Sequence, residues 1–130
     1  MASSSKTPNL NLPQWTATEK PERTDFNDAF DAIDGLVVSG SNTNGSYVKF
    51  PDGTMICTGA SANQTLEFEW TYPQPFIANP IISVLPAFSS DLATNVTLYQ
   101  RSKTSSSVTL KAYGTSTPYI MATAIGRWKA

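Results

Sequence analysis

Two glutamates form the only close carboxylate pair on a predicted strand. Glu67 and Glu69 stand two residues apart, and apolar residues alternate with them along the segment. Side chains at this spacing lie roughly 6.5–7 Å apart on one strand face, close to the separation that glycosidases use. Both would project from an exposed face, and nothing in the sequence implies a pocket that raises either pKa. The pair therefore favours a charged, solvent-facing strand over a hydrolytic site.

Composition limits the other catalytic and metal-binding chemistry. The sequence has no histidine, which excludes Ser-His-Asp and Cys-His arrangements and every His-ligated metal site. Cys57 is the single cysteine, so neither an intrachain disulfide nor a cysteine-based zinc site can form. Nine basic and ten acidic residues give a net charge of −1, which argues against nucleic-acid binding. We expect no enzymatic activity, no cofactor and no metal.

Aromatic residues near predicted strand ends are the remaining candidates for ligand binding. Tyr72, Tyr113, Tyr119 and Trp128 stand in a chain in which 31 of 130 residues are serine or threonine. Aromatic rings at strand ends can stack on sugar faces or close the end of an apolar core. Carbohydrate recognition is thus one hypothesis, and a purely structural role for each ring is the other.

Short strands are the main elements that would position these residues. A chain of 130 residues makes one domain with room for a short appendage. Its turn-rich loops separate seven short strand-like segments, which predicts a mainly β chain with an antiparallel β-sandwich. The predicted strands are residues 46–50, 54–58, 64–70, 76–85, 95–101, 108–113 and 119–128. Pro80 predicts a bend or a sheet edge at the start of the fourth segment.

An extended N-terminal arm and one short α-helix are predicted to precede the sandwich. We divide the chain into an attachment arm with helix at 1–35, a linker at 36–45 and a receptor-binding sandwich at 46–130. Prolines at three positions of the arm favour an irregular path. Trp15 has no local core there, and we interpret it as a docking anchor.

The predicted helix carries one apolar stripe. Thr24 is the expected N-cap, and Gly35 ends the helix. Phe26, Phe30 and Ile33 fall on one face. Because a helix of about ten residues is marginal alone in water, this stripe must pack on the chain's own β domain or on copies of itself. The attachment and trimerisation candidates are Trp15, Phe26, Phe30 and Ile33.

Three segments resemble one group of proteins. Residues 44–59, NGSYVKFPDGTMICTG, resemble the segment N-G-x-Y-x-K-F-x-D-G-x-x-I-C-x-G that recurs in the C-terminal domains of bacteriophage and prophage tail-fibre proteins. The ending AIGRWK at 124–129 resembles their terminus, and residues 9–35 resemble phage fibre and neck segments. The resemblance implies a homotrimeric, receptor-binding tail fibre of the virion, held on the tail or baseplate by its N-terminal arm.

Residues 68–128 also resemble an H-type lectin domain. That resemblance implies a six-stranded antiparallel sandwich that trimerises and binds N-acetylgalactosamine-type sugars in clefts between subunits. Tyr113 stands where that family more often has tryptophan, and Gly114 replaces the histidine that often follows. The implied receptor site lies at a loop end, with Tyr113 and Asp91. The alternative is the opposite end, with Arg101, Lys103 and Trp128 furthest from the anchor.

The sequence thus favours a phage tail-fibre protein that contacts host-surface glycans. No signal peptide is visible, so we expect synthesis in the host cytoplasm and assembly into the phage tail, without insertion into a membrane. The alternative is a purely structural collar or tail decoration protein without sugar binding. A third hypothesis is an enzyme that degrades surface polysaccharide, and such an enzyme would need its carboxylate pair in a groove.

Overall fold

The computed structural model describes residues 3–88 and 96–130, and the chain divides into two compact units. The first unit ends at Val38, and the second comprises Ser39–Ala130. Within the described residues, no helix combines the length and the apolar character needed to cross a lipid bilayer.

The first unit contains a short antiparallel ribbon and one helix. Strand β1 is Ser5–Lys6, strand β2 is Pro13–Gln14, and helix α1 is Arg23–Asp34. Ser5 pairs with Gln14, and Lys6 pairs with Pro13. The arm is therefore more regular than its prolines predict. Pro13 itself lies in a strand, which is only two residues long.

Helix α1 begins one residue before the predicted N-cap. Glu22 is the N-cap, and the Asp25 carboxylate accepts a hydrogen bond from the Glu22 backbone N–H at 3.1 Å, which forms a capping box. The prediction of Thr24 as N-cap is wrong because Asp25 supplies the capping carboxylate. Gly35 ends the helix as predicted, and its N–H donates to the Asp31 carbonyl at 3.0 Å.

The described residues of the second unit form eight strands in two antiparallel sheets. The strands are β3 (Val38–Asn42), β4 (Gly45–Lys49), β5 (Thr54–Ala60), β6 (Glu67–Thr71), β7 (Ile81–Ala87), β8 (Val96–Lys103), β9 (Ser107–Gly114) and β10 (Tyr119–Arg127). A five-stranded sheet has the order β3-β4-β5-β10-β7, and a three-stranded sheet has the order β6-β9-β8. Each of the seven predicted strands is present, and β7 begins directly after Pro80.

Strand β3 lies in the segment that we predicted to be a linker. Its sequence, VSGSN, has the small polar composition of a flexible connection. A two-residue turn at Thr43 and Asn44 instead folds it back beside β4, at the edge of the larger sheet. An edge strand can be polar because one of its sides is open to solvent.

The two sheets enclose one apolar core between them. The five-stranded sheet contributes Met55, Cys57, Ile120, Ala122 and Ala124, and the three-stranded sheet contributes Trp70, Val108, Leu110 and Ala112. Tyr72 and Phe76 extend the core, and the Tyr72 ring meets Trp70 edge-on with centroids 5.2 Å apart. Burial raises the pKa of Tyr72 to about 12. The predicted antiparallel sandwich, preceded by an arm and one short helix, is confirmed.

The connections gather at two opposite ends of the sandwich. The chain is not a meander, because β5 to β6, β6 to β7, β7 to β8 and β9 to β10 each change sheet. At one end, the Ser61 N–H donates to the Ile120 carbonyl at 2.9 Å, which joins the loops after β5 and before β10. At the other end, the Trp128 N–H donates to the Gly53 carbonyl at 2.9 Å. Each of these bonds therefore joins described loops at one end of the sandwich.

Candidate functional site

A patch of aromatic and charged side chains covers part of the outward face of the three-stranded sheet. We call it the tyrosine patch, and its members are Tyr99, Tyr113, Glu67, Lys111 and Arg101. The rings of Tyr99 and Tyr113 stack with centroids 5.8 Å apart and planes inclined by 23°. Tyr113 is 69% exposed and Tyr99 is 39% exposed. Two large rings are thus open to solvent side by side.

Strand alternation and register bring these residues together. Along β9, Leu110 and Ala112 point into the core, so Lys111 and Tyr113 point outward. Lys111 pairs with Glu67 of β6 on one side and with Tyr99 of β8 on the other. The central strand therefore holds the lysine between the glutamate and the tyrosine pair.

The charged members of the patch form one network around Glu67. The Lys111 Nζ lies 2.7 Å from Glu67 Oε2, and the Arg101 Nη1 lies 3.9 Å from Glu67 Oε1. The hydrogen bond from Lys111, with the charges of Lys111 and Arg101, lowers the pKa of Glu67. Glu67 is thus an ionised acceptor at neutral pH, whereas a glycosidase acid needs a raised pKa.

Arg101 reaches this network from an irregularity in β8. The register between β8 and β9 shifts between Gln100 and Ser102, so Arg101 is the extra residue of a β-bulge. Bulges redirect side chains and are common beside functional sites. Here the bulge places the guanidinium across β9 from its own strand.

A shallow depression of about 310 Å³ accompanies the tyrosine patch. Its lining includes Leu66, Glu67, Tyr99, Lys111, Tyr113 and Gly114. Aromatic rings supply flat apolar surface, and a few fixed polar groups supply orientation, which is the usual composition of a small-molecule site. The patch can stack an apolar sugar face on Tyr113 while donors and an acceptor meet hydroxyl groups.

The structure regroups the predicted site residues. Tyr113 and Arg101, predicted at opposite ends, both belong to the tyrosine patch. Asp91 lies outside the described residues. Lys103 is half-buried at the far end of β8, where it pairs with Val108. Their roles in receptor binding stay predictions.

Sequence reasoning missed Tyr99, Lys111 and Glu67 as members of this site. Alternation along β8 places Tyr99 on the face opposite Leu98, and alternation along β9 places Lys111 beside Tyr113. These two facts can be read from the sequence. The register that brings Tyr99 and Lys111 together cannot be read from the sequence, because it depends on which strands pair and on the bulge in β8.

Trp128 is tied into the opposite end of the sandwich. Its indole N–H donates to the Phe50 carbonyl at 2.9 Å, and the Lys49 Nζ lies 5.2 Å from its ring centroid. The ring is half-buried and packs against the core. These contacts give Trp128 a structural role at this end.

In the first unit, Trp15 contacts the chain's own helix. Its indole N–H donates to Asp25 Oδ2 at 3.1 Å, and its ring lies 5.6 Å from that of Phe26. The helix stripe is nevertheless open, with Phe26, Phe30 and Ile33 exposed at 46%, 65% and 49%. Trp15 therefore has partners on the helix that the sequence did not predict, whereas within the first unit the stripe is left exposed.

The segment 44–59 has an architectural role. The Trp70 indole N–H donates to the Asn44 carbonyl at 2.8 Å, which ties the three-stranded sheet to the turn before β4. Gly45 has a φ of +132°, and a Cβ there would collide with the Thr58 backbone. A Cβ on Gly59 would lie 2.5 Å from Trp70 Nε1. The segment is therefore under packing constraints at several points, and none of its residues belongs to the tyrosine patch.

Within the described residues, no group of three or more acidic, cysteine or histidine side chains lies close enough to hold a metal ion.

Comparison with solved structures identifies the architecture. Some 96% of this chain matches part of the P. aeruginosa R2 pyocin fibre, with a TM-score of 0.59 and 15% sequence identity. The chain resembles pyocin fibres in fold. An N-truncated R2-type pyocin tail fibre gives the same values, and the P. aeruginosa R1 pyocin fibre matches over 95% with a TM-score of 0.57 and 19% identity.

The matches cover only part of each fibre. This chain spans 34%, 49% and 35% of the three matched chains. Neither models of protein families nor curated proteins gave a match to the sequence. At these identities the likeness is one of fold.

Proposed function

We propose that this chain is a phage or phage-like tail-fibre protein that binds host-surface glycans through the tyrosine patch. The observation that carries the proposal is the stacked, exposed pair of Tyr99 and Tyr113 beside the ion pair of Glu67 and Lys111. The fold likeness to pyocin fibres, among them an R2-type pyocin tail fibre, supports a role as a tail fibre.

The patch favours a neutral or weakly anionic sugar as ligand. Lys111 is already paired with Glu67 at 2.7 Å, so its charge is largely compensated. Arg101 is held less closely, at 3.9 Å, and its side chain is 62% exposed. Its guanidinium therefore has N–H donors free to point toward a sugar hydroxyl or carboxylate.

The first unit fits a role in attachment and assembly. We propose that residues 1–35 hold the fibre on the tail or baseplate and that the exposed stripe of Phe26, Phe30 and Ile33 packs on copies of itself in a homotrimer. A short amphipathic helix with its apolar face open gains its stability mainly from such packing.

Binding of the full-length protein to an array of bacterial surface glycans tests this function. Tyr113→Ala removes the more exposed ring and should abolish binding, whereas Tyr113→Phe keeps the stacking surface and should retain most of it. Thr97→Ala, directly across from Tyr113 in the sheet, is the matched control and should bind as the wild type does.

The same array distinguishes the alternatives. Equal binding by wild type and Tyr113→Ala would place the sugar elsewhere. Wild-type protein that retains no glycan would favour a purely structural collar or tail decoration. Loss of viscosity in a polysaccharide solution would instead reveal an enzyme.

A further inference from the structure

The outward face of the five-stranded sheet is apolar and open. We call it the outer face. Among its large side chains, Ile81 is 74% exposed, Leu85 is 62% exposed, and Met121 and Ile125 are exposed at 45% and 43%. Large apolar side chains grouped on one face mark an interaction site, whereas scattered ones do not.

Strand register arranges the outer face in three rows across the strands. Leu85 pairs with Met121, and this forms the first apolar row. Ile81 pairs with Ile125, which pairs in turn with Ile56, and this forms the second apolar row. Between them runs a row of hydroxyl side chains, formed by Ser83, Thr123, Thr58 and Ser46. A groove of about 270 Å³ follows the small side chains of this middle row.

The outer face carries no charged side chain between these rows. Between Tyr119 at one end and Arg127 at the other, the outward positions of β4, β5, β7 and β10 are occupied by Ser, Thr, Val, Ile, Leu, Met and Ala alone. Two copies of the face can therefore approach without repulsion between like charges. The face also offers no charged side chain with which a charged partner could pair.

Prolines disfavour another way of covering this region. Strand β7 is the outer strand of its sheet, and such edges invite pairing with an added strand. Pro86 lies within β7 and has no N–H to donate, and Pro80 stands directly before the strand. Addition of a strand at the β7 edge is thus obstructed, so a partner would have to pack on the face of the sheet instead.

We propose that the outer face is where copies of this chain pack against one another, with the strands running along a threefold axis. Such an axis brings the same residue of each copy to the same height. Each row then meets the same row of the other copies and forms one layer. The upper and lower layers are apolar, and the layer between them is formed by hydroxyl groups. This inference rests on the proposed homotrimer, and it names a contact additional to the helix stripe.

Sedimentation of the full-length protein tests the contact. Leu85→Asp and Ile81→Asp each place a carboxylate in an apolar layer. Either change should reduce the measured mass from about three times 14.1 kDa, the trimer, to 14.1 kDa, the monomer. Thr97→Asp, an exposed strand position on the other sheet, is the matched control and should stay trimeric. Far-ultraviolet circular dichroism verifies that each variant is folded.

Cysteine cross-linking covers the case in which a charged variant fails to fold. The native Cys57 is fully buried, so it does not contribute to cross-links between copies. Thr123→Cys or Ser83→Cys should give a covalent dimer under mild oxidation, and Thr97→Cys should give none.

The proposal is overturned if folded Leu85→Asp and Ile81→Asp both remain trimeric, or if neither cysteine in the middle row cross-links. A wild-type monomer overturns it as well. Glycan binding is measured separately, so a trimer that binds no glycan would refute the proposed function and leave this contact standing.

Discussion

Replacing Gly59 with alanine should destabilise the sandwich strongly, although the added group is a single methyl. The Cβ would lie 2.5 Å from Nε1 and 2.6 Å from Cε2 of Trp70, well inside van der Waals contact. Trp70 cannot easily give way, because it is only 2% exposed and its indole N–H is bound to Asn44. Gly59 is thus a position at which the packed core leaves no room for a side chain.

The magnitude follows from two contributions. Forcing an extra carbon into a packed core costs about 1–3 kcal/mol. If the ring moves far enough to break its bond to Asn44, a buried indole N–H loses its acceptor, which adds about 1–3 kcal/mol. We expect Gly59→Ala to lower the free energy of unfolding by about 1–3 kcal/mol if the indole keeps its acceptor, and by about 2–6 kcal/mol if it does not.

Urea denaturation at fixed protein concentration measures this loss, with the slope of the transition checked for constancy. Gly35→Ala is the matched control, because a Cβ there meets the Asp31 carbonyl at an ordinary 3.4 Å. Combining Gly59→Ala with Trp70→Phe should cost less than the sum of the single changes, since the smaller ring relieves the collision. A change below about 0.5 kcal/mol for Gly59→Ala, within the range of ordinary surface substitutions, would refute this reasoning.

Three further predictions concern the helix, the patch and the arm. Phe30→Asp should weaken or abolish the trimer while the sandwich stays folded, which sedimentation with circular dichroism detects; an unchanged trimer would show that the stripe is not a contact. Because the folded-state pKa of Glu67 is lowered, its pairing with Lys111 stabilises the fold above the ordinary glutamate pKa of 4.5 and is lost as the pH falls through the folded value. The stability difference between wild type and Glu67→Gln should therefore shrink on acidification, and a difference that grows would contradict the ion pair. Trp15→Phe removes the indole donor to Asp25 and should speed amide exchange in the first turn of the helix, whereas unchanged exchange would mean that this bond does not stabilise the turn.

The strands of the sandwich were predictable because local signals agree there. Alternation marks the segment around Phe68 and Trp70, and the hairpin turn at Pro51–Gly53 separates two strands. The strand β3 was not predictable from composition, since Ser and Gly at a sheet edge look the same as Ser and Gly in a linker. The cap of helix α1 was missed because Asp25 and Glu22 act together across three positions.

The site was predictable only in part. Tyr113 was identified as a stacking candidate, and its exposure of 69% agrees with that interpretation. Its partners Tyr99 and Arg101 come from another strand, and their positions depend on the register and on the bulge in β8. The resemblance to tail fibres drew attention to residues 44–59 and 124–129. The structure gives these segments packing roles, because the indoles of Trp70 and Trp128 both donate to backbone carbonyls within 44–59.

Adsorption of whole particles to host cells tests the central claim most directly. Particles carrying Tyr113→Ala should adsorb far less than the wild type, while Tyr113→Phe and Lys103→Ala particles should adsorb normally, with trimer integrity verified in each case. Normal adsorption by Tyr113→Ala particles together with loss of adsorption by Lys103→Ala particles would contradict the account and move receptor binding to the opposite end of the sandwich.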